Sequence, residues 1–123
     1  MQILYEMDAA KTMNSETAAR LSQERLAGNH KDRGQKLLTD IIDHIDQLDD
    51  VINQNSRSWK TGRMPKVDLA IMRLALGEIR FADDIPTAVS INEAVNLAKK
   101  FSIERSSSFI NGVLGSIVNS DER

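Results

Sequence analysis

The apolar and polar positions of this chain follow a helical pattern along almost its whole length. In residues 32–53, apolar side chains recur every three or four positions, which places them on one face of a helix. No run alternates as a strand does, and no hairpin signal is visible. The predicted helices cover residues 1–10, 17–27, 32–53, 66–81, 90–101 and about 104–119. The pattern predicts an all-α, compact helical bundle of six to seven helices.

Several helix boundaries carry local signals. Asn14 lies in a segment of capping residues before the second helix, and Gly28 with Asn29 is typical of its C-terminal cap. Ser90 and Glu93 have the spacing of a capping box, which predicts a helix start at Ser90. Pro65 suits the start of the helix over 66–81.

The apolar spacing also predicts which faces of the two central helices are buried. The face of helix 66–81 is predicted at Val67, Ile71, Leu74 and Ile79, and that of helix 90–101 at Ile91, Ala94, Val95, Ala98 and Phe101.

Length and composition limit the classes of protein to which the chain can belong. Its 123 residues, of which 41% are hydrophobic, suit one globular domain over residues 1–123. The absence of cysteine excludes disulfides and thiolate metal sites, and it fits a reducing cytoplasm. No apolar run approaches the roughly 20 residues needed to cross a membrane.

The charge is unevenly distributed, although the net charge is only −2. Acidic residues crowd positions 40–50, whereas basic residues crowd positions 57–66 and 99–105. The simplest interpretation is a set of solvated faces, and the pattern alone leaves a functional role for these clusters open. Trp59, in the connection before residue 66, is interpreted as an anchor that packs this loop onto the helices, the alternative being a platform for a nucleic-acid base.

No motif in the chain carries catalytic or cofactor chemistry. His30 and His44 lack the shared face and the carboxylate that a metal site would need. The sequence holds no phosphate-binding glycine loop, no dinucleotide fingerprint and no nucleophile elbow. We therefore expect no enzyme, no cofactor and no metal.

The amino-acid sequence of the C-terminal half resembles that of one known family. Residues 91–101 read I-N-E-A-V-N-L-A-K-K-F and residues 109–114 read F-I-N-G-V-L, and both resemble motifs of the NusB family of transcription antitermination factors. The segment 59–79 is similar to the central segment of that family, and residues 3–8 to the later part of its first helix. Residues 84–86 and 89–90 lead into the I-N-E-A motif as they do in that family, whereas residues 12–54 agree mainly in helical pattern.

The resemblance implies a fold and a function. The fold would be seven helices in two small bundles packed across each other. The function would be that of a cytoplasmic, non-enzymatic adaptor that binds boxA RNA together with NusE, a ribosomal small-subunit protein. The complex would join an elongating RNA polymerase and support ribosomal RNA transcription through terminators.

The resemblance also suggests which residues make contacts. Tyr5 and Phe109 are the candidates for stacking on unpaired RNA bases, with core packing as the open alternative for Phe109. Tyr5 is expected at the surface, because its hydroxyl needs a partner. Gln2 and Arg105 are candidate donors to phosphate or base. Asp68, expected at an exposed helix start, is the candidate partner of a basic NusE residue, with stabilisation of the helix dipole as the alternative.

Two features depart from the family pattern, and one glycine has a structural role to expect. Family members usually begin with an arginine-rich first helix, whereas this sequence starts at Met1, so we expect weaker phosphate contacts than the family norm. Gly77 stands where relatives often have an aromatic residue, and it costs about 1 kcal/mol of helix propensity relative to alanine. Gly112 is expected to let two helices approach closely.

Two other functions remain open. One is the NusB-like RNA-binding domain that precedes a ribosomal-RNA cytosine methyltransferase domain. The other is a self-associating helical protein, such as a homodimer that buries the surface RNA would use. Sizing at several concentrations separates the homodimer from the free adaptor.

Overall fold

The fold of the chain is a bundle of α-helices. The computed structural model describes residues 1–25, 31–57 and 59–121, and within these ranges it contains seven helices and no strand. This confirms the all-α prediction. The helices are α1 (Gln2–Ala10), α2 (Ser15–Arg25), α3 (Lys31–Asp43), α4 (Ile45–Asn55), α5 (Lys66–Phe81), α6 (Thr87–Phe101) and α7 (Ser106–Asp121).

Two of the predicted helix starts agree with the structure. The Asn14 side chain caps α2, since its Oδ1 accepts a hydrogen bond from the Thr17 amide at 2.8 Å. Pro65 directly precedes α5. The C-terminal cap expected at Gly28 and Asn29 lies outside the described residues, as does His30.

The prediction of one helix over residues 32–53 was wrong, because the chain breaks at His44. This residue has φ −117° and ψ 20°, and it separates α3 from α4. Its ring Nδ1–H donates to the Asp40 carbonyl at 2.8 Å, and the ring packs on Phe81 with 5.0 Å between centroids. The apolar stripe continues across this break, so periodicity alone could not reveal it.

The predicted start of α6 was also wrong. The helix begins at Thr87, directly after Pro86, which has φ −59°. Ser90 therefore lies one turn inside the helix, where it is buried and donates its hydroxyl to Glu78 Oε2 at 3.1 Å. The hydroxyl connects two helices instead of capping one.

Helix α5 lies at the centre of the molecule and joins its two parts. Helices α1 and α3 both pack on α2 and on α5, whereas α6 and α7 pack on each other and on α5, and α4 packs on α5 and α7. Of the predicted buried face of α5, only Ile71 is fully buried, and Val67, Leu74 and Ile79 are half-buried. Surrounding helices cover α5 on nearly every side, so its buried residues do not form one stripe: Asp68, Leu69, Ala70, Ile71, Met72, Arg73, Ala75, Leu76 and Gly77.

Candidate nucleic-acid interface

Gln2 and Tyr5 lie one turn apart on the exposed side of α1. Their neighbours Ile3, Leu4 and Met7 are buried in the core, and this fixes the opposite side of the helix towards solvent. The Tyr5 side chain is 38% exposed. The expectation that Tyr5 lies at the surface is confirmed, and its ring is available to a partner from outside.

Arg105 and Phe109 lie together at the start of α7. Arg105 is exposed and directly precedes the helix, and its carbonyl accepts a hydrogen bond from the Phe109 amide at 3.2 Å. Phe109 is half-buried and packs against the core. Its half-buried position is therefore compatible with both alternatives, core packing and contact with an RNA base.

Trp59 supports Phe109 from the connection between α4 and α5. The two rings meet edge to face, with 5.0 Å between centroids and an interplanar angle of 76°. Trp59 is half-buried against the core, as expected of a residue that anchors the loop. The Ser56 hydroxyl donates to the Trp59 carbonyl and holds the backbone at this point.

The Asn53 side chain holds the same connection in place. Its Oδ1 accepts from the Thr61 amide at 2.7 Å, and its Nδ2 donates to the Thr61 hydroxyl at 3.2 Å. The Lys60 ammonium donates to the carbonyls of Asn53 and Ser56, both at 2.8 Å, and so satisfies the C-terminal end of α4. No sequence pattern predicts these bonds, since Asn53 and Thr61 have no recognisable spacing.

The expectation that Asp68 is exposed was wrong. Its side chain is 0% exposed, and its carboxylate accepts hydrogen bonds from two hydroxyls of the α6–α7 connection. Ser106 Oγ donates to Asp68 Oδ2 at 2.6 Å, and Ser102 Oγ donates to Asp68 Oδ1. The start of α7 covers the first turn of α5, so the carboxylate faces these serines and not solvent.

The first turn of α5 also connects α1 with α7. Lys66 Nζ lies 3.5 Å from Asp8 Oδ2 at the end of α1, whereas Asp68 holds Ser106 at the start of α7. The candidate residues on α1 and on α7 therefore lie on two helices that are both fixed to the same end of α5.

Arg73 is a buried cation that the sequence analysis treated only as part of a motif. It is 7% exposed, and its guanidinium makes two hydrogen bonds to Asp49, with Nε–Oδ1 at 2.9 Å and Nη2–Oδ2 at 2.7 Å. Its Nη1 lies 3.8 Å from Asp8 Oδ2. An arginine flanked on both sides by apolar residues, from Leu69 to Leu76, was the available signal, because a buried cation needs an acidic partner.

Phe101, predicted on the inner face of α6, is 43% exposed. The predicted Ala94 and Ala98 are buried, together with Ser90, whereas Ile91 and Val95 are half-buried. Lys100 Nζ lies 5.3 Å from the centre of the Phe101 ring. Phe101 is the last residue of α6, and its side chain is exposed although Ala98, in the same last turn, is fully buried.

Two groups with shifted pKa values interact near the α5–α6 contact, the Met1 amine and the Glu78 carboxyl. Burial lowers the pKa of the Met1 amine, and the Glu78 carboxylate partly offsets this effect. Burial raises the pKa of the Glu78 carboxyl, and the nearby Glu93 carboxylate raises it further, while the hydrogen bond from Ser90 opposes both effects. Among the described residues, no group of three or more histidine or acidic side chains is arranged to hold a metal ion. In the same part of the chain, no helix combines the length and apolarity that crossing a membrane would require.

Comparison with known proteins gives consistent matches. The model of the NusB family matches residues 1–119. The transcription antitermination protein NusB of Agathobacter rectalis is 62% identical over 74 residues, which are 60% of this chain and 56% of that protein. The protein of the same name from Natranaerobius thermophilus is 40% identical over 118 residues, which cover 96% of this chain and 85% of that protein.

A solved structure has the same fold. The structure of T. maritima NusB superposes with a TM-score of 0.85 at 27% sequence identity, and the match covers 96% of this chain and 84% of that one. The overall fold is therefore shared with a protein of related sequence.

Proposed function

Because the chain belongs to the NusB family, we propose that it is a transcription antitermination factor that acts as an RNA-binding adaptor. It binds boxA RNA together with NusE, joins the elongating RNA polymerase complex and supports ribosomal RNA transcription. It works in the cytoplasm, catalyses no reaction and needs no cofactor.

The observation that carries this proposal is an exposed Tyr5 ring and a half-buried Phe109 ring, each beside a polar donor. Tyr5 has Gln2 one turn away on α1, and Phe109 on α7 has Arg105 one turn away, at the residue before that helix. Single-stranded RNA is bound by stacking of its bases on aromatic rings and by hydrogen bonds to base edges and phosphates. Each helix thus offers an aromatic ring and a donor, which together suit a short unpaired RNA segment.

Asp68 contributes to this surface indirectly. A direct ion pair with a basic residue of NusE would require the bonds from Ser102 and Ser106 to open. We assign Asp68 the role of holding the start of α7, and with it Arg105 and Phe109, in place. NusE then raises RNA affinity through a coupling free energy that acts equally in both directions.

Fluorescence anisotropy with labelled boxA RNA tests the proposal. The RNA should bind more tightly than a scrambled RNA, and more tightly again when NusE is present. Phe109→Leu should weaken boxA binding about fivefold or more, as expected when one base loses its stacking partner. Phe81→Leu is the matched control, since Phe81 packs on His44 at the far end of α5.

Two results would contradict the proposal. One is equal binding of boxA and scrambled RNA, and the other is boxA binding that NusE leaves unchanged. Sizing at several concentrations accompanies the titration, because a homodimer that hides α1 and α7 would account for weak RNA binding in a different way.

A further inference from the structure

A second group of exposed aromatic, aliphatic and basic side chains lies at the junction of α6 and α7. We call it the junction patch and define it by its residues: Lys99, Lys100, Phe101, Ile103 and Arg105. All five are exposed, with Phe101 at 43% and Ile103 at 51%. Two of the four large hydrophobic residues exposed in the described part of the chain are thus only two positions apart, within a basic segment.

The junction patch has an excess of positive charge. Its three cations form no ion pair with any acid of the described residues, and Glu104 is the one acidic side chain within the segment 99–105. Lys100 Nζ lies 5.3 Å from the Phe101 ring centre, so the cation remains beside an exposed ring. This combination suits a ligand that has both negative charges and flat apolar faces.

The backbone of the junction patch is held in one shape. Ser102 and Ser106 both donate to the buried Asp68 carboxylate, and the Ser102 amide donates to the Ala98 carbonyl at 2.9 Å. The Ser106 amide donates to the Ile103 carbonyl at 3.0 Å. Because these bonds fix the turn before a ligand arrives, binding costs little ordering of the backbone.

The junction patch is continuous with the surface assigned above. Arg105 belongs to both, and Phe109 follows it by one helical turn. Phe101 lies four positions before Arg105 in sequence, and both side chains are exposed. We propose that the junction patch is a further binding site for single-stranded RNA, in which Phe101 stacks on a base and Lys99 and Lys100 contact phosphates. This inference rests on the proposed function.

Matched substitutions on α6 test the stacking role. Phe101→Ala should weaken binding of boxA RNA and of an oligouridine about five- to hundredfold. Val89→Ala removes an exposed apolar side chain from the other end of α6, where Val89 is 42% exposed, and should leave both affinities unchanged. Thermal melts of both variants verify that each is folded.

The salt dependence of binding tests the phosphate contacts. Lys99→Gln with Lys100→Gln should reduce the slope of log K against log salt by about 0.7 for each phosphate that the two lysines neutralise. Arg20→Gln with Lys36→Gln changes the net charge equally at positions on α2 and α3, and should leave the slope nearly unchanged.

The outcomes separate this inference from the proposed function. If Phe109→Leu weakens boxA binding while all junction-patch variants bind normally, the adaptor function stands and the junction patch is refuted. If the chain binds oligouridine and boxA equally and Phe101→Ala abolishes both, the junction patch stands and boxA selectivity is refuted. If the junction-patch variants lose NusE binding but bind RNA as before, the patch is a protein contact and the inference is overturned.

Discussion

Helix α5 contacts both parts of the molecule, but the two contacts have different chemistry. Towards α1, α3 and α4 it presents the Arg73 guanidinium, which is bound by Asp49, and the bare Gly77 backbone, which packs on Ile41. Towards α6 and α7 it presents the carboxylates of Asp68 and Glu78, which accept hydrogen bonds from serine hydroxyls.

The difference shows how a buried charge can be accommodated in two ways. Arg73 is neutralised by an acid from another helix, so removing either partner leaves a charge without its counterpart. The Asp68 carboxylate is instead hydrogen-bonded by two neutral hydroxyls, so removing one serine leaves the other hydrogen bond in place. We therefore expect the contact towards α4 to be the more sensitive to single substitutions.

The largest effect is expected from Arg73→Met. The change leaves Asp49 and Asp8 without their shared cation, and we expect the free energy of unfolding to fall by about 3–5 kcal/mol. Urea unfolding measures the loss. Arg33→Met is the control, because it breaks the Arg33–Asp84 pair whose side chains are 61% and 59% exposed, and should cost at most about 1 kcal/mol. Equal losses in the two variants would refute the distinction between buried and exposed pairs.

Gly77→Ala should have the next largest effect. A Cβ at this position would lie 2.3 Å from Ile41 Cγ1, and Ile41 is fully buried, so the helices must separate. We expect a loss of about 1–3 kcal/mol in urea unfolding. Gly115→Ala in α7 meets no atom within 4 Å and should stabilise the protein by about 0.5–1 kcal/mol. A stabilised Gly77→Ala variant would show that α3 and α5 can shift apart without cost.

Ser106→Ala tests the contact towards α7. It removes one of the two hydroxyl donors of the buried Asp68 carboxylate, and we expect a loss of about 1–3 kcal/mol. Ser108→Ala, at an exposed position two residues further along α7, should stay within about 0.5 kcal/mol of the unsubstituted chain. If both alanine variants unfold at the same urea concentration, the Ser106–Asp68 hydrogen bond makes no measurable contribution to the free energy of unfolding.

The smallest effect is expected from Glu78→Gln, and it depends on pH. Burial raises the pKa of Glu78 in the folded chain above its ordinary value of 4.5. The stability gained from the protonated carboxyl is fully present below that ordinary value and is lost as pH rises through the folded pKa. Glu78→Gln should therefore raise the free energy of unfolding at neutral pH by about 0.5 kcal/mol or less, and with it the midpoint of thermal unfolding.

The pH series of melting temperatures provides the check on that last effect. The advantage of the glutamine variant should shrink as pH falls towards the ordinary pKa and be absent once Glu78 is protonated in both states. A constant advantage at every pH would mean that the gain comes from packing and not from the charge.

The sequence predicted the helical class and most helix positions well. Apolar spacing placed α5 over the residues that the structure gives it, and Asn14 and Pro65 marked two helix starts. The errors occur where a residue contacts another that is distant in sequence, and where that contact accompanies a different helix boundary. His44 breaks the third predicted helix and packs on Phe81, and Ser90 bonds Glu78 instead of capping α6.

The candidate interface was predictable in part. Tyr5 lies at the surface as expected, because buried neighbours on α1 fix its direction. Asp68 was misplaced, because the residues that cover it are 34 and 38 positions away in sequence. Phe101 was also misplaced, since it lies in register with the buried Ala94 and Ala98 but is exposed at the end of α6.

The sequence by itself determined the helices, their apolar sides and the family motifs, because each of these depends on residues close together along the chain. Only the tertiary structure decided which glycine allows a close approach. Gly112, expected in that role, has no atom within 4 Å of a built Cβ, whereas Gly77 packs against Ile41. Close approach is a relation between two helices, and residues 41 and 77 meet only after the chain has folded.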